Sequence, residues 1–225
     1  MLGALALAAA CEFPRDVEGT LDRVRGGTLR VGAIEGAPFI VTDGEQVTGV
    51  EARLVEQLAG SLDADLEWVT GTSDDLLAAL EHHSLDLVVG GLVSDDPWGS
   101  KVTFTLPYAT SHLVVSVSRG TDPPSDIAGR PVAVLSGTEA EGLLRKTDAE
   151  VQPVEQLDDT EGLVAAHDWE LDDLGLTKTN VELATSEHVF ALPHGENAWL
   201  VELENFVLDI RPTAQRLLEQ ARTSD

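Results

Sequence analysis

Two stretches of this sequence bring together residue types able to grip a small molecule. The first runs from Gly90-Gly91-Leu92 to Asp95-Asp96-Pro97-Trp98. Glycines leave backbone N–H groups open to a ligand, and Trp98, beside a proline on a loop, offers a ring face for stacking or for a cation. The second is Ser136-Gly137-Thr138, followed later by His167-Asp168-Trp169. A turn entering a helix presents free N–H groups to an anion. The same turn also reads as a plain strand-to-helix junction with Thr138 as cap. Glu35 and Glu51 add carboxylates, although a solvated acid and a dipole-favoured first-turn acid explain them equally. His82-His83 closes a helix, with no acid at ligand spacing to make a metal site. His194, Glu196 and Trp199 surround a turn into a helix, where capping is the ordinary role.

No nucleophile elbow, phosphate-cradling loop or zinc-protease pair is present. The one cysteine, Cys11, excludes an internal disulfide and a cysteine-based metal centre. The expectation is no catalytic residue, no metal and no cofactor.

These residues need elements to hold them. In the first hundred residues strand and helix patterns alternate. Thr28 to Ala33 reads as a strand and Pro38 to Gly44 as a loop and short hairpin. Val50, Leu54, Val55, Leu58 and Leu62 recur at helical spacing. Leu66 to Val69 is a strand, and Thr72 or Ser73 caps a helix over Asp74 to His82. Leu85 to Val89 is a short apolar strand. A βαβαβ order implies a mainly parallel sheet, with ligands outside the carboxyl ends of its strands. The loops of interest are therefore Glu35 to Phe39, Thr70 to Ser73 and Gly90 to Trp98. The pattern then restarts. Strands are expected at His112 to Ser118, Arg130 to Leu135, Glu150 to Val154, Leu163 to Ala166 and Glu187 to Leu192. Helices are expected at Glu139 to Lys146, Glu196 to Leu208 and Thr213 to Ala221. Two such units imply two lobes with a cleft between them.

The charge narrows the partners. Forty acidic residues against fourteen Lys and Arg give a net charge of −26 over 225 residues. Such a surface repels nucleic acid phosphates and anionic lipid heads. The acids are spread along the chain, as in folded proteins of saline habitats. Residues 2 to 10 are apolar and small, too short to span a bilayer, and end at Cys11. They read as an export signal, with Cys11 as the lipidation site and residues 12–27 as a polar tether.

The order of segments resembles the extracellular solute-binding proteins of family 3, the polar amino-acid receptors of ABC importers. The likeness is carried by TLRVGAIEGAPFIVTDGEQVTGVEARLVEQLAGSL, SDDLLAALEHHSLDLVVGGL, VTFTLPY and DIAGRPVAVLSGTEAEGLL. It implies an α/β, two-lobed, type II periplasmic-binding fold with a central cleft. The short stretch between Val154 and Leu163 implies a reduced second lobe. Lobe 1 is expected at 28–109 plus 187–225 and lobe 2 at 110–186. The implied function is capture of a small polar solute, an amino acid or amine, by an exported, lipid-anchored monomer that hands it to a membrane permease. Alternatives are a cyclohexadienyl dehydratase-like enzyme on the same fold and a sensor or docking lipoprotein. The expected ligand contacts are Glu35, Phe39, Glu51, Gly90, Gly91, Leu92, Trp98, Ser136, Thr138, His167 and Asp168.

The departures matter for the solute. The family's carboxylate-gripping Arg falls at Trp98, its hydroxyl residue at Val93 and its lid aromatic at Ser73. Its ammonium-holding acid falls at or beside His167-Asp168. With acids on the loops and no cation nearer than Lys101, a cationic solute stacked on Trp98 is expected to bind better than an anionic one.

Overall fold

The structure, a computed structural model, describes residues 16–44, 46–158 and 160–221. Cys11 and the apolar run before it lie outside the described residues.

A short helix α1 (Thr20–Val24) precedes strand β1 (Thr28–Ile34). The hairpin β2 (Val41–Asp43) and β3 (Gln46–Thr48) leads into helix α2 (Val50–Ser61). Strand β4 (Asp65–Gly71), helix α3 (Ser73–Glu81) and strand β5 (Leu87–Val89) complete the first βαβαβ run. β1 pairs in parallel with both β4 and β5. α2 buries Val50, Leu54, Val55 and Leu58, the stripe read from the sequence. Thr72 caps α3 by accepting from Asp75 N. β6 (Thr103–Phe104) and β12 (Ala191–Leu192) extend the same sheet antiparallel, in the order β4-β1-β5-β12-β6.

A second sheet has the order β11-β7-β10-β8-β9. Its strands are β7 (Ala109–Ser118), β8 (Pro131–Leu135), β9 (Glu150–Val154), β10 (Leu163–His167) and β11 (Leu176–His188). Helix α4 (Glu139–Leu144) packs against it. Between β9 and β10 the described residues form no helix, so this lobe is the smaller. β7 and β11 run antiparallel from Ala109↔His188 to Ser118↔Leu176. These paired strands carry the chain from one sheet to the other and back. Their first-lobe ends are the hinge.

Three expectations are corrected. Residues 16–27 are no tether. Leu21 and Val24 sit in the first-lobe core. Asp16 accepts from Leu21 N at 2.8 Å and Trp199 N at 2.9 Å, while Glu196 accepts from Glu18 N and Thr20 N. Each segment thus supplies the carboxylate that satisfies N–H groups at the start of the other's helix. The two closing helices are one, α5 (Asn197–Glu219), running through Pro212. Its buried stripe of Trp199, Leu203, Val207, Ile210, Ala214 and Leu218 continues unbroken past the proline, and tertiary burial outweighs the missing N–H. β11 extends eleven residues upstream of Glu187, a stretch too rich in Thr, Lys, Asn and Glu to read as a strand.

Two polar features stiffen the first lobe and its joint. The Asp86 side chain is fully buried and receives Arg23 at 2.7 Å, Arg30 at 2.6 Å and the backbone N–H of Arg30 at 2.9 Å. Despite burial, the two guanidinium groups hold its carboxyl below the usual range. On the hinge, the Gln215 side-chain amide both accepts from Thr110 N and donates to Thr110 O, each at 3.1 Å.

Candidate functional site

The loops of both lobes meet at the hinge. From the first lobe, the loop after β1 delivers Phe39, and the turn after β5 delivers Gly90-Gly91. Glycine is required at both positions of that turn. Gly90 has φ 140° and a Cβ there would lie 2.3 Å from Ile34 O. Gly91 has φ 74°, and a Cβ would strike the Phe39 ring at 2.7 Å. From the second lobe, the end of β10 delivers His167 and Trp169. His188 closes β11, and Tyr108 and Ser111 lie at the start of β7.

These residues form one ring cluster. His167 and Trp169 stack with centroids 4.1 Å apart and planes 7° apart. Trp169 meets Phe39 edge-on at 5.6 Å, and Phe39 meets His188 at 4.5 Å. Tyr108 lies 6.2 Å from His188 and stacks on Phe190 at 4.7 Å. Ser111 Oγ and His188 Nε2 are 2.8 Å apart. Both imidazoles are buried enough to be held neutral, each pushed down to about 4, chiefly by lost solvation. The Nδ1 atom of His167 is buried without a hydrogen-bond partner among the described residues.

Beneath the rings lies Glu51, fully buried. It accepts from Gly91 N at 3.1 and 3.2 Å and receives the Tyr108 hydroxyl in a short hydrogen bond. Burial raises its carboxyl to about 7, partly offset by those donors. The same burial, with the Glu51 charge, raises Tyr108.

The geometry redistributes the expected contacts. Glu51 bonds internally to Tyr108 and Gly91, and it has taken the Gly91 N–H expected to meet a ligand. Glu141 does the same in the second lobe, accepting from Gly137 N at 2.8 Å. Thr138 caps α4 and donates to Leu135 O, and Ser136 N is bonded to Val154 O. The Ser136 turn is thus a self-satisfied junction. Trp98 half-buries against the first-lobe cluster around α3, its Nε1 donating to Asp74 at 3.3 Å. Lys101 Nζ lies 4.5 Å above its ring, so the chain's own cation takes the place expected for a solute's. Glu35 is exposed and accepts from Thr42, and Leu92 is buried in the core around α3. Asp168 is half-buried, its N–H on His112 O, its carboxyl raised mainly by burial. Of the expected contacts, the structure brings Phe39, Gly91 and His167 to the ring cluster.

Sequence reasoning missed His188, Tyr108 and Ser111 as partners in it, and it named Trp169 only beside His167-Asp168, not among the expected contacts. A signal existed for His188, the one titratable residue at the head of the buried run His188-Val189-Phe190-Ala191-Leu192. Trp169 carried another, as a large ring just past a strand end that faces the cleft.

Two sheets joined by paired crossing strands, with residues of both converging at the hinge, make a two-lobed α/β fold. The sequence matches the bacterial extracellular solute-binding proteins, family 3, over residues 29–220. The chain belongs to that family. It is 32% identical over 137 residues to the L-cystine-binding protein TcyJ of Escherichia coli K12, covering 57% of this chain and 51% of the relative. The chain thus spans about half the length of that curated relative. Among solved structures it resembles an ancestral cationic amino acid solute-binding protein, with TM-score 0.75 and 23% identity over 90% of this chain and 99% of the other. It also resembles the L-cystine solute receptor of Neisseria gonorrhoeae, with TM-score 0.73 and 18% identity over 90% and 96%. These two likenesses establish the type II binding fold.

Proposed function

We propose that this chain is the solute receptor of an ABC importer, working outside the cytoplasm and closing two lobes on a small amino acid or amine. The observation that carries this is the hinge. Two separate sheets are linked by β7 and β11, and side chains of both lobes converge where those strands cross. Bending near Tyr108 to Val114 and Glu187 to Ala191 closes the cleft. Family membership supports the same reading, and a membrane permease is the partner it requires. The ring cluster contributes no Lys or Arg, and the surrounding loops carry Glu35, Asp95, Asp96 and Asp168. A neutral or cationic solute is favoured over an anion. A dehydratase acting on cyclic acids needs a cation to hold the substrate carboxylate, and the cluster supplies none.

A thermal-shift screen against amino acids, amines and organic acids tests the reading. A true solute at about 100 times its dissociation constant stabilises by about 2.7 kcal/mol. Steady consumption of a cyclic acid would turn the assignment to an enzyme. Absence of any stabilising compound would turn it to a docking protein. Anchoring through Cys11 is part of the same proposal, and a Cys11→Ser protein that stays on membranes would end it.

A further inference from the structure

We propose that Trp169 is a tethered occupant of the interlobe site: its indole holds the place of a flat, ring-bearing solute, which enters by displacing it. The proposal rests on the solute-receptor reading.

Four observations converge. Trp169 follows β10 of the second sheet, yet it is buried in a core cluster whose other buried members all come from the first lobe or the hinge. It is a plug from one lobe seated in the other. The slot is shaped for a flat ring. His167 lies parallel to the indole at 4.1 Å, Phe39 stands edge-on at 5.6 Å, and His188 closes the side at 6.3 Å. The slot is also polar where the indole is not. His188 is 3% exposed, and the buried Nδ1 of His167 has no hydrogen-bond partner among the described residues. Buried polar atoms of this kind are costly unless something completes them. A solute ring with N–H or acceptor atoms at its edge would do so. Finally, the plug has somewhere to go. A cavity of about 540 Å³ borders Trp169, lined also by Arg119, Asp172, Glu219 and Gln220.

An internal occupant scales the apparent affinity by the fraction of molecules in which it is unseated, and it keeps the apolar slot filled until the solute arrives. The class of solute follows from the slot: a heteroaromatic amine or amino acid, held by stacking and by the imidazoles of His167 and His188.

The test uses the full chain with Trp169→Ala and Trp169→Phe variants. The probes are histamine and L-histidine, with putrescine and L-glutamate as ring-less counterparts. Calorimetry should show histamine or L-histidine binding at least tenfold more tightly to Trp169→Ala than to the parent, with Trp169→Phe between. Ring-less probes should gain nothing. In the parent, binding should shift tryptophan emission to the red as the indole leaves its slot, and Trp169→Phe should lose that shift. Equal or weaker binding by a folded Trp169→Ala protein makes the indole a wall of the site and overturns the proposal. If that variant does not fold, the Trp169→Phe affinity and emission decide it alone. Binding of putrescine or L-glutamate but of neither ring overturns the proposal and leaves the receptor reading intact. Failure of all four probes overturns the proposal. The receptor reading falls only if the broader screen is also empty.

Discussion

Glu51 and the two cluster histidines pull stability in opposite directions as pH changes. The Glu51 carboxyl titrates near 7 in the folded protein and near its ordinary 4.5 when unfolded. Between those values the native state holds the extra proton, so this residue's contribution falls as pH rises. His167 and His188 are depressed from 6.5 to about 4. Across that window the unfolded chain holds the extra protons, and stability rises with pH. Glu51→Gln removes only the falling component, since an amide can still accept from Gly91 N. The variant should therefore gain on the parent steadily from pH 4.5 to about 7 and hold a constant difference above. Urea midpoints measured at several pH values check this, and parallel curves would mean that Glu51 does not titrate in that range. Little of this was legible beforehand. A glutamate at a helix start is favoured by the dipole whatever lies beyond it. Its burial under Tyr108 depends on residues 57 positions away.

Among elements, the sequence was most readable where one strong local signal agreed with the packing. The stripe of α2 and the Thr72 cap of α3 are cases of that kind. It was least readable where the fold overrode the local signal. Pro212 argued for a break that the stripe of α5 does not allow, and the polar face of β11 hid a strand whose inner edge is satisfied by β7. The segment before β1 misled for a different reason. Its polar residues face helix ends that come from opposite ends of the chain. Asp16→Ala should remove caps from α1 and α5 together and lower stability by about 1–2 kcal/mol in a denaturant titration. A true tether would lose nothing.

At the scale of the molecule, the net charge of −26 is a standing cost that salt relieves. Raising sodium chloride from about 0.1 M to about 1 M shortens the screening length from ~10 Å to ~3 Å. The melting temperature should climb over that range, most steeply in the first few tenths molar, where screening changes fastest. A linear rise without levelling would point to general salt exclusion from the surface instead. Composition made this property readable at once. The two-sheet α/β architecture was readable too, since each βα run announces its own sheet. What could not be read was the chemistry between them, because the chain spends its own groups there: Glu51 on Gly91, Glu141 on Gly137 and Lys101 on Trp98.

The Gln215 amide, seated on both backbone groups of Thr110, sets a rule of phase for the whole chain. An α-helix turns by about 100° per residue. One residue inserted between Glu196 and Gln215 would swing that amide more than a quarter turn from the hinge and rotate the downstream half of the buried stripe with it. One residue inserted in the exposed turn around Gly120 to Asp122 would rotate nothing. Relatives that share this joint can therefore drift in the identity of many α5 residues, but not in their number between those two positions. In an alignment, a gap there would mark a protein whose lobes are hinged some other way.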